Sequence, residues 1–68
     1  MDHISLIVEG ITSLESENKI KDALLKLNGI TGVIVNIELK RVLVEFDNEK
    51  MPVELIRATI EDQGFCVK

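Results

Sequence analysis

The sequence predicts one small α+β domain over residues 1–68, a βαββαβ sandwich with a four-stranded antiparallel sheet in the order 4-1-3-2 and both helices on one face. Three observations carry this. Apolar residues alternate with period 2 in three separate stretches, and they recur at helical spacing in two others. Glycine, Asn-Gly and proline fall at the joints between these stretches.

In His3–Val8, Ile4, Leu6 and Val8 alternate with Ser5 and Ile7, as in a strand with one buried face. Gly10 breaks the run and opens a loop. Thr12 and Ser13 are both candidate N-caps, and Thr12 with Glu15 has the spacing of a capping box. Ile20, Ala23, Leu24 and Leu27 form an apolar stripe with charges on the other face, predicting a helix over 13–27 stopped by Asn28-Gly29. Val33, Val35 and Ile37 form one face of a second strand, followed by a polar turn over 38–41. Val42, Val44 and Phe46 alternate in a third strand, and 47–50 is a loop. Pro52 suits the first turn of a second helix with Val53, Ile56, Thr59 and Ile60 on its stripe. Gln63-Gly64 ends that helix, and Phe65-Cys66-Val67 is a short last strand.

Two interleaved right-handed crossovers place the last strand beside the first and antiparallel to it. Gly64 and Phe65 then lie beside the 10–16 loop, with Met51-Pro52 and the 38–41 turn expected at the opposite end. The expected core sets Ile20, Leu24 and Leu27 against Leu6, Val35 and Val44.

Sixty-eight residues make a chain that must rely on dense apolar packing, because domains this small bury only roughly 60% of their unfolded surface. One cysteine, Cys66, cannot close an internal disulfide, and no Cys/His cluster offers a structural zinc site. The net charge of −4 and two aromatic residues argue against nucleic acid, which asks for a basic stripe or a stacking platform. No apolar run approaches the length of a spanning helix, so the expectation is a cytoplasmic protein with a reduced thiol and no membrane insertion, monomeric or weakly dimeric.

Gly10-Ile11-Thr12, Leu27-Asn28-Gly29-Ile30, Phe46-Asp47, Ile60-Glu61 and Gly64-Phe65, at their observed spacings, carry a resemblance over nearly the whole chain. The sequence resembles the heavy-metal-associated domain family, the ferredoxin-like modules of copper chaperones and metal-transporting P-type ATPases. The resemblance implies a metal loop in which Met-x-Cys-x-x-Cys binds Cu(I) through two thiolates and passes it to a partner by ligand exchange. In this sequence that motif falls on Ile11-Thr12-Ser13-Leu14-Glu15-Ser16, so Ser13 and Ser16 stand at the ligand positions. A serine hydroxyl is a hard donor that stays protonated near neutral pH, whereas soft metals want thiolates. The expectation is therefore no bound metal as the chain stands, with Cu(I) or another soft metal entering by family analogy only. A natural loss and an introduced replacement of the cysteines both remain open at this point.

Cys66 is a weak candidate ligand: if Phe65 packs over the loop, Cys66 faces outward, and one thiolate without a second soft ligand is a poor site. His3 beside the N-terminal amine is a second weak candidate, for Cu(II) or Ni(II). Ser13 and Ser16 read better as capping and early-helix residues than as nucleophiles, since no base lies near them. Glu9, Glu15 and Glu17 oppose anion binding at the helix start, and the loop lacks the arginine of an acylphosphatase-type enzyme. The resemblance implies a partner-docking face of Ile11, Leu14, Glu15, Glu17 and Phe65, joined by Glu9, Glu61 and Asp62, with Lys19 the nearest countercharge and a partner of basic surface. A small-molecule-sensing module of ACT type, which shares βαββαβ, is the alternative.

Overall fold

A computed structural model describes residues 2–68. The elements follow in the order β1 (Asp2–Glu9), α1 (Leu14–Leu25), β2 (Ile30–Asn36), β3 (Arg41–Phe46), α2 (Val53–Asp62) and β4 (Cys66–Val67). The sheet runs β2-β3-β1-β4 with every neighbour antiparallel, which is the expected order read from its other edge. β1 pairs with β3 from Asp2↔Phe46 to Ile7↔Arg41, and β4 extends its far end through Val8↔Val67 and Glu9↔Cys66. β2 pairs with β3 with a register shift between Ile30 and Gly32.

The period-2 pattern sorts the two faces of the sheet. Val8, Val42, Val44 and Phe46 are buried beneath the helices, where Ile20 and Leu24 of α1 and Ile56 and Ile60 of α2 complete the core with Ile11 and Met51. Leu6, Leu27 and Val35 are half-buried and pack against this cluster. Val53 departs from the expected stripe: as the first residue of α2 it is 39% exposed, and Ile56 and Ile60 carry the buried face. Thr59 is half-buried, its hydroxyl donating to the Leu55 carbonyl at 2.7 Å.

Helix α1 stops at Leu25, two residues short of the expected end, because the Leu27 N–H turns to the Leu24 carbonyl (3.0 Å) and tightens the last turn. Gly29 then takes φ 109°, and a Cβ there would come within 3.0 Å of the Lys50 Cβ. Both the backbone angle and the close approach of the 47–51 loop demand glycine.

One placement differs from the expectation. The turn between β2 and β3 lies at the same end of the sheet as the 10–16 loop, not opposite it. Antiparallel pairing requires this, since β3 begins where β1 finishes: Ile7 is paired with Arg41, and the Val8 N–H donates to the Lys40 carbonyl at 2.8 Å. Met51-Pro52 does sit at the opposite end, where a Cβ on Gly29 would lie 3.3 Å from the Met51 Cβ.

On the sheet face turned away from the helices, Ile7, Arg41 and Asn36 form one row, Ser5, Leu43 and Ile34 the next, and His3, Glu45 and Gly32 a third. Glu45 ties the third row together. Its carboxylate accepts from the Thr31 hydroxyl (2.9 Å) and lies 2.9 Å from His3 Nε2, and these two contacts hold its pKa below the ordinary glutamate value.

Leu24 has no solvent exposure and lies at the centre of the core. Leu24→Ala should destabilise the protein by about 2–5 kcal/mol, a large share of a small domain's stability. The measurement is the urea midpoint by circular dichroism; an unchanged midpoint would void the register of α1.

Candidate functional site

The loop between β1 and α1 is shaped by one approach. Gly10 has φ 100°, and a Cβ on it would meet the Phe65 ring at 3.2 Å, so Phe65 lies over the loop's first residue as the topology predicts. The chain then turns inward. Ile11 is only 2% exposed and joins the core beneath the loop. This corrects its expected place on the docking face: leaving the strand, the chain sends its one apolar loop side chain into the sheet–helix core, where burial stabilises it.

Ser13, not Thr12, caps α1. It has extended backbone angles (φ −152°, ψ 170°), its carbonyl accepts the first helical bond from the Glu17 N–H (3.1 Å), and its hydroxyl accepts from the Ser16 N–H over a long 3.4 Å. The expected Thr12–Glu15 capping box is one residue out of register with this start. Because positions three apart share a helix face, the Ser13 and Ser16 side chains converge, their Oγ atoms 3.5 Å apart.

Two side chains converging at the tip of a loop have the geometry of a two-ligand site. Their chemistry does not fit a soft metal: hydroxyls give neutral, hard donors in place of thiolates. Cys66 is exposed on β4, in register with Glu9, while its neighbour Val67 pairs with the buried Val8. It is at the loop's end of the sheet but points away from the core. His3 is at the other end of β1 beside Glu45, apart from the loop, and the N-terminal amine invoked with it belongs to Met1, outside the described residues. Among the described residues no three His, Cys, Asp or Glu side chains converge as metal ligands.

The charges around the loop are more balanced than the sequence suggests. Glu17 pairs with Lys21 at 3.0 Å, four residues along the helix, and its side chain is only 18% exposed. Glu9 pairs with Lys68 at 3.1 Å. That bond and the Lys68 charge, with Lys40 contributing from further off, hold the Glu9 pKa below the ordinary range. The ion-pair countercharges there are thus Lys21 and Lys68, with Lys40 acting on Glu9 from further off. Glu15, Glu61 and Asp62 are exposed and form no ion pair among the described residues.

Leu14 is 70% exposed beside the capping serine, and Phe65 is half-buried over Gly10. Leu39, 59% exposed in the 38–41 turn, adds an apolar side chain to the same end of the molecule. Sequence reasoning missed it by setting that turn at the wrong end; the antiparallel order of β1 and β3 was the signal that would have found it.

The profile of the heavy-metal-associated domain matches residues 5–65. A copper chaperone CopZ of Staphylococcus haemolyticus is 39% identical over 61 residues, covering 90% of each chain. Among solved structures, a CopZ metallochaperone superposes with a TM-score of 0.97 at 33% identity, over 98% of this chain and all of that one. A copper-binding domain from HMA7, a P-type ATPase, gives 0.95 at 32% identity, over all of this chain and 92% of that one. In sequence and in overall fold alike, the chain belongs to the heavy-metal-associated domain family.

Proposed function

We propose that this is a non-catalytic heavy-metal-associated domain, a chaperone or transporter module whose soft-metal dithiolate site is degenerate and whose loop end keeps a protein-docking role. The observation that carries the reading is the pair of hydroxyls, Ser13 Oγ and Ser16 Oγ, converging to 3.5 Å at the loop tip. The scaffold holds two side chains together as a two-ligand site requires, and the side chains it holds cannot supply thiolates. Neither serine contacts a general base, so nucleophilic catalysis has no support there. The family match weighs against the ACT-type alternative. The same reading sets the protein in the cytoplasm, where Cys66 stays reduced.

The docking face in this reading has Leu14, Leu39 and Phe65 as its apolar centre and Glu15, Glu61 and Asp62 as its free rim charges. Ile11 is excluded by burial, and Glu17 is committed to Lys21. The partner is a basic-surfaced protein domain, a metal-transporter domain or a chaperone by family analogy, met through steering charges around a small apolar contact.

Metal binding tests the first half. In reducing buffer, competition against a Cu(I) chelator should show binding far weaker than a dithiolate site gives, and stoichiometric tight binding by the monomer would overturn the reading. Ser13→Cys with Ser16→Cys should install a Cu(I) site, because the positions already converge; a folded double variant that binds no Cu(I) would mean the loop frame itself has diverged.

Association kinetics test the second half. Against a basic-faced metal-binding domain of a P-type copper ATPase, Glu15→Lys combined with Glu61→Lys should slow association by roughly tenfold at low salt with an unchanged thermal midpoint. Leu14→Ser should act on dissociation instead. Association equally fast in the charge-reversed protein would remove the loop end as the docking face.

A further inference from the structure

The outer face of the sheet carries a pattern that the loop and its partner do not use. Along β3, the side chains of Arg41, Leu43 and Glu45 project from this face in a line: positive, apolar, negative. Leu43 is 42% exposed and Ile34, its neighbour on β2, is 65% exposed. Between them and Glu45, the missing side chain of Gly32 leaves a shallow depression of about 300 Å³.

We propose that this face is a self-association surface that takes a second copy of the chain, with β3 lying antiparallel across β3. The line Arg41–Leu43–Glu45 is self-complementary under one arrangement. A two-fold axis lying between the sheets, perpendicular to the strands and level with Leu43, reverses the strand direction. It sets Arg41 opposite Glu45 of the second copy, and Leu43 opposite Leu43. The alternative axis, parallel to the strands, would stack Arg41 on Arg41 and Glu45 on Glu45, and like charges facing each other oppose it. Charge order along a single strand thus selects one pairing out of two.

The apolar row fits the same arrangement. The perpendicular axis keeps the lateral order of the strands, so β2 faces β2 and Ile34 meets Ile34 of the second copy. The depression beside each Ile34 gives the facing side chain room to interdigitate at the roughly 10 Å spacing of packed sheets. The twist of each sheet turns the pair by about 30°, within the reach of an arginine crossing to a glutamate. Glu45 is already held on this face, one oxygen accepting from Thr31 and the other lying against His3, and its side chain stays 43% exposed to a facing arginine. The face is one side of a body measuring 32 × 19 × 19 Å, so the association is weak and belongs to concentrated protein. It is independent of whether Ser13 and Ser16 or cysteines occupy the loop, and it goes beyond the docking role proposed above.

The experiment is sedimentation equilibrium of the intact chain, in low salt with reductant to prevent Cys66 disulfides, over about 10 μM to 1 mM, where small interfaces dissociate. The weight-average mass should rise from 7.6 kDa toward twice that value. Arg41→Glu should weaken association by roughly tenfold or more, and Leu43→Lys should abolish it. Arg41→Glu combined with Glu45→Arg swaps the line end for end and should recover association to within a few-fold of the original, each variant being checked for an unchanged circular dichroism spectrum. Should the Glu45 variant fail to fold, Arg41→Glu and Leu43→Lys still decide, since neither touches the Thr31 bonds. A monomer throughout the range would overturn the proposal, as would a dimer that these two substitutions leave intact.

Discussion

The structure depends on one packing contact, the seating of Ile20, Leu24, Ile56 and Ile60 on Val8, Val42 and Val44. All seven are at most 1% exposed, and there is no disulfide or zinc cluster among the described residues to share the task. In a domain of this size, folding rests on that apolar burial against the entropy of ordering the chain. No buried polar or charged residue interrupts the core among those described. The polar chemistry is confined to the surface, where it can change without unseating the helices.

The loop is positioned by the same contact. Helix α1 begins where Ser13 caps it and is held down by Ile20 and Leu24, while Ile11 enters the core on the strand side. The 11–16 segment is thereby fastened at both ends by apolar side chains, and Phe65 covers its glycine. At the two converging positions the chain presents hydroxyl donors. The convergence of the two positions follows from their spacing at the helix start, with Ser13 as the cap and Ser16 in the first turn.

Much of this was legible in residue patterns. Alternation in Ile4–Val8 and Val42–Phe46 marked the inward faces, and glycine at position 10 with phenylalanine at 65 was consistent with the contact now seen between them. Three features were not, each for a physical reason. The capping residue is settled by a single pair of backbone angles, so Thr12 and Ser13 looked equivalent until Ser13 was seen in the extended region. The burial of Ile11 occurs between elements, where neither period 2 nor period 3.6 applies. The electrostatics of the rim depend on partners distant in sequence: Lys68 reaches Glu9 across a strand pair, and Lys40 comes near through a turn set at the wrong end. Local patterns determine elements well, but charge neighbourhoods are made by topology.

The register shift in β2 has a consequence for the protein's behaviour in crowded solution. β2 is an edge strand rich in β-branched residues, with no lysine or proline along it to discourage a passing chain. The irregularity between Ile30 and Gly32 breaks that edge, leaving only Gly32–Asn36 in continuous register. Such a run falls short of the roughly six residues that cross-β stacking requires. The displaced residue at Thr31, held by its hydroxyl to Glu45, thus shortens the regular edge that a passing chain could extend along β2.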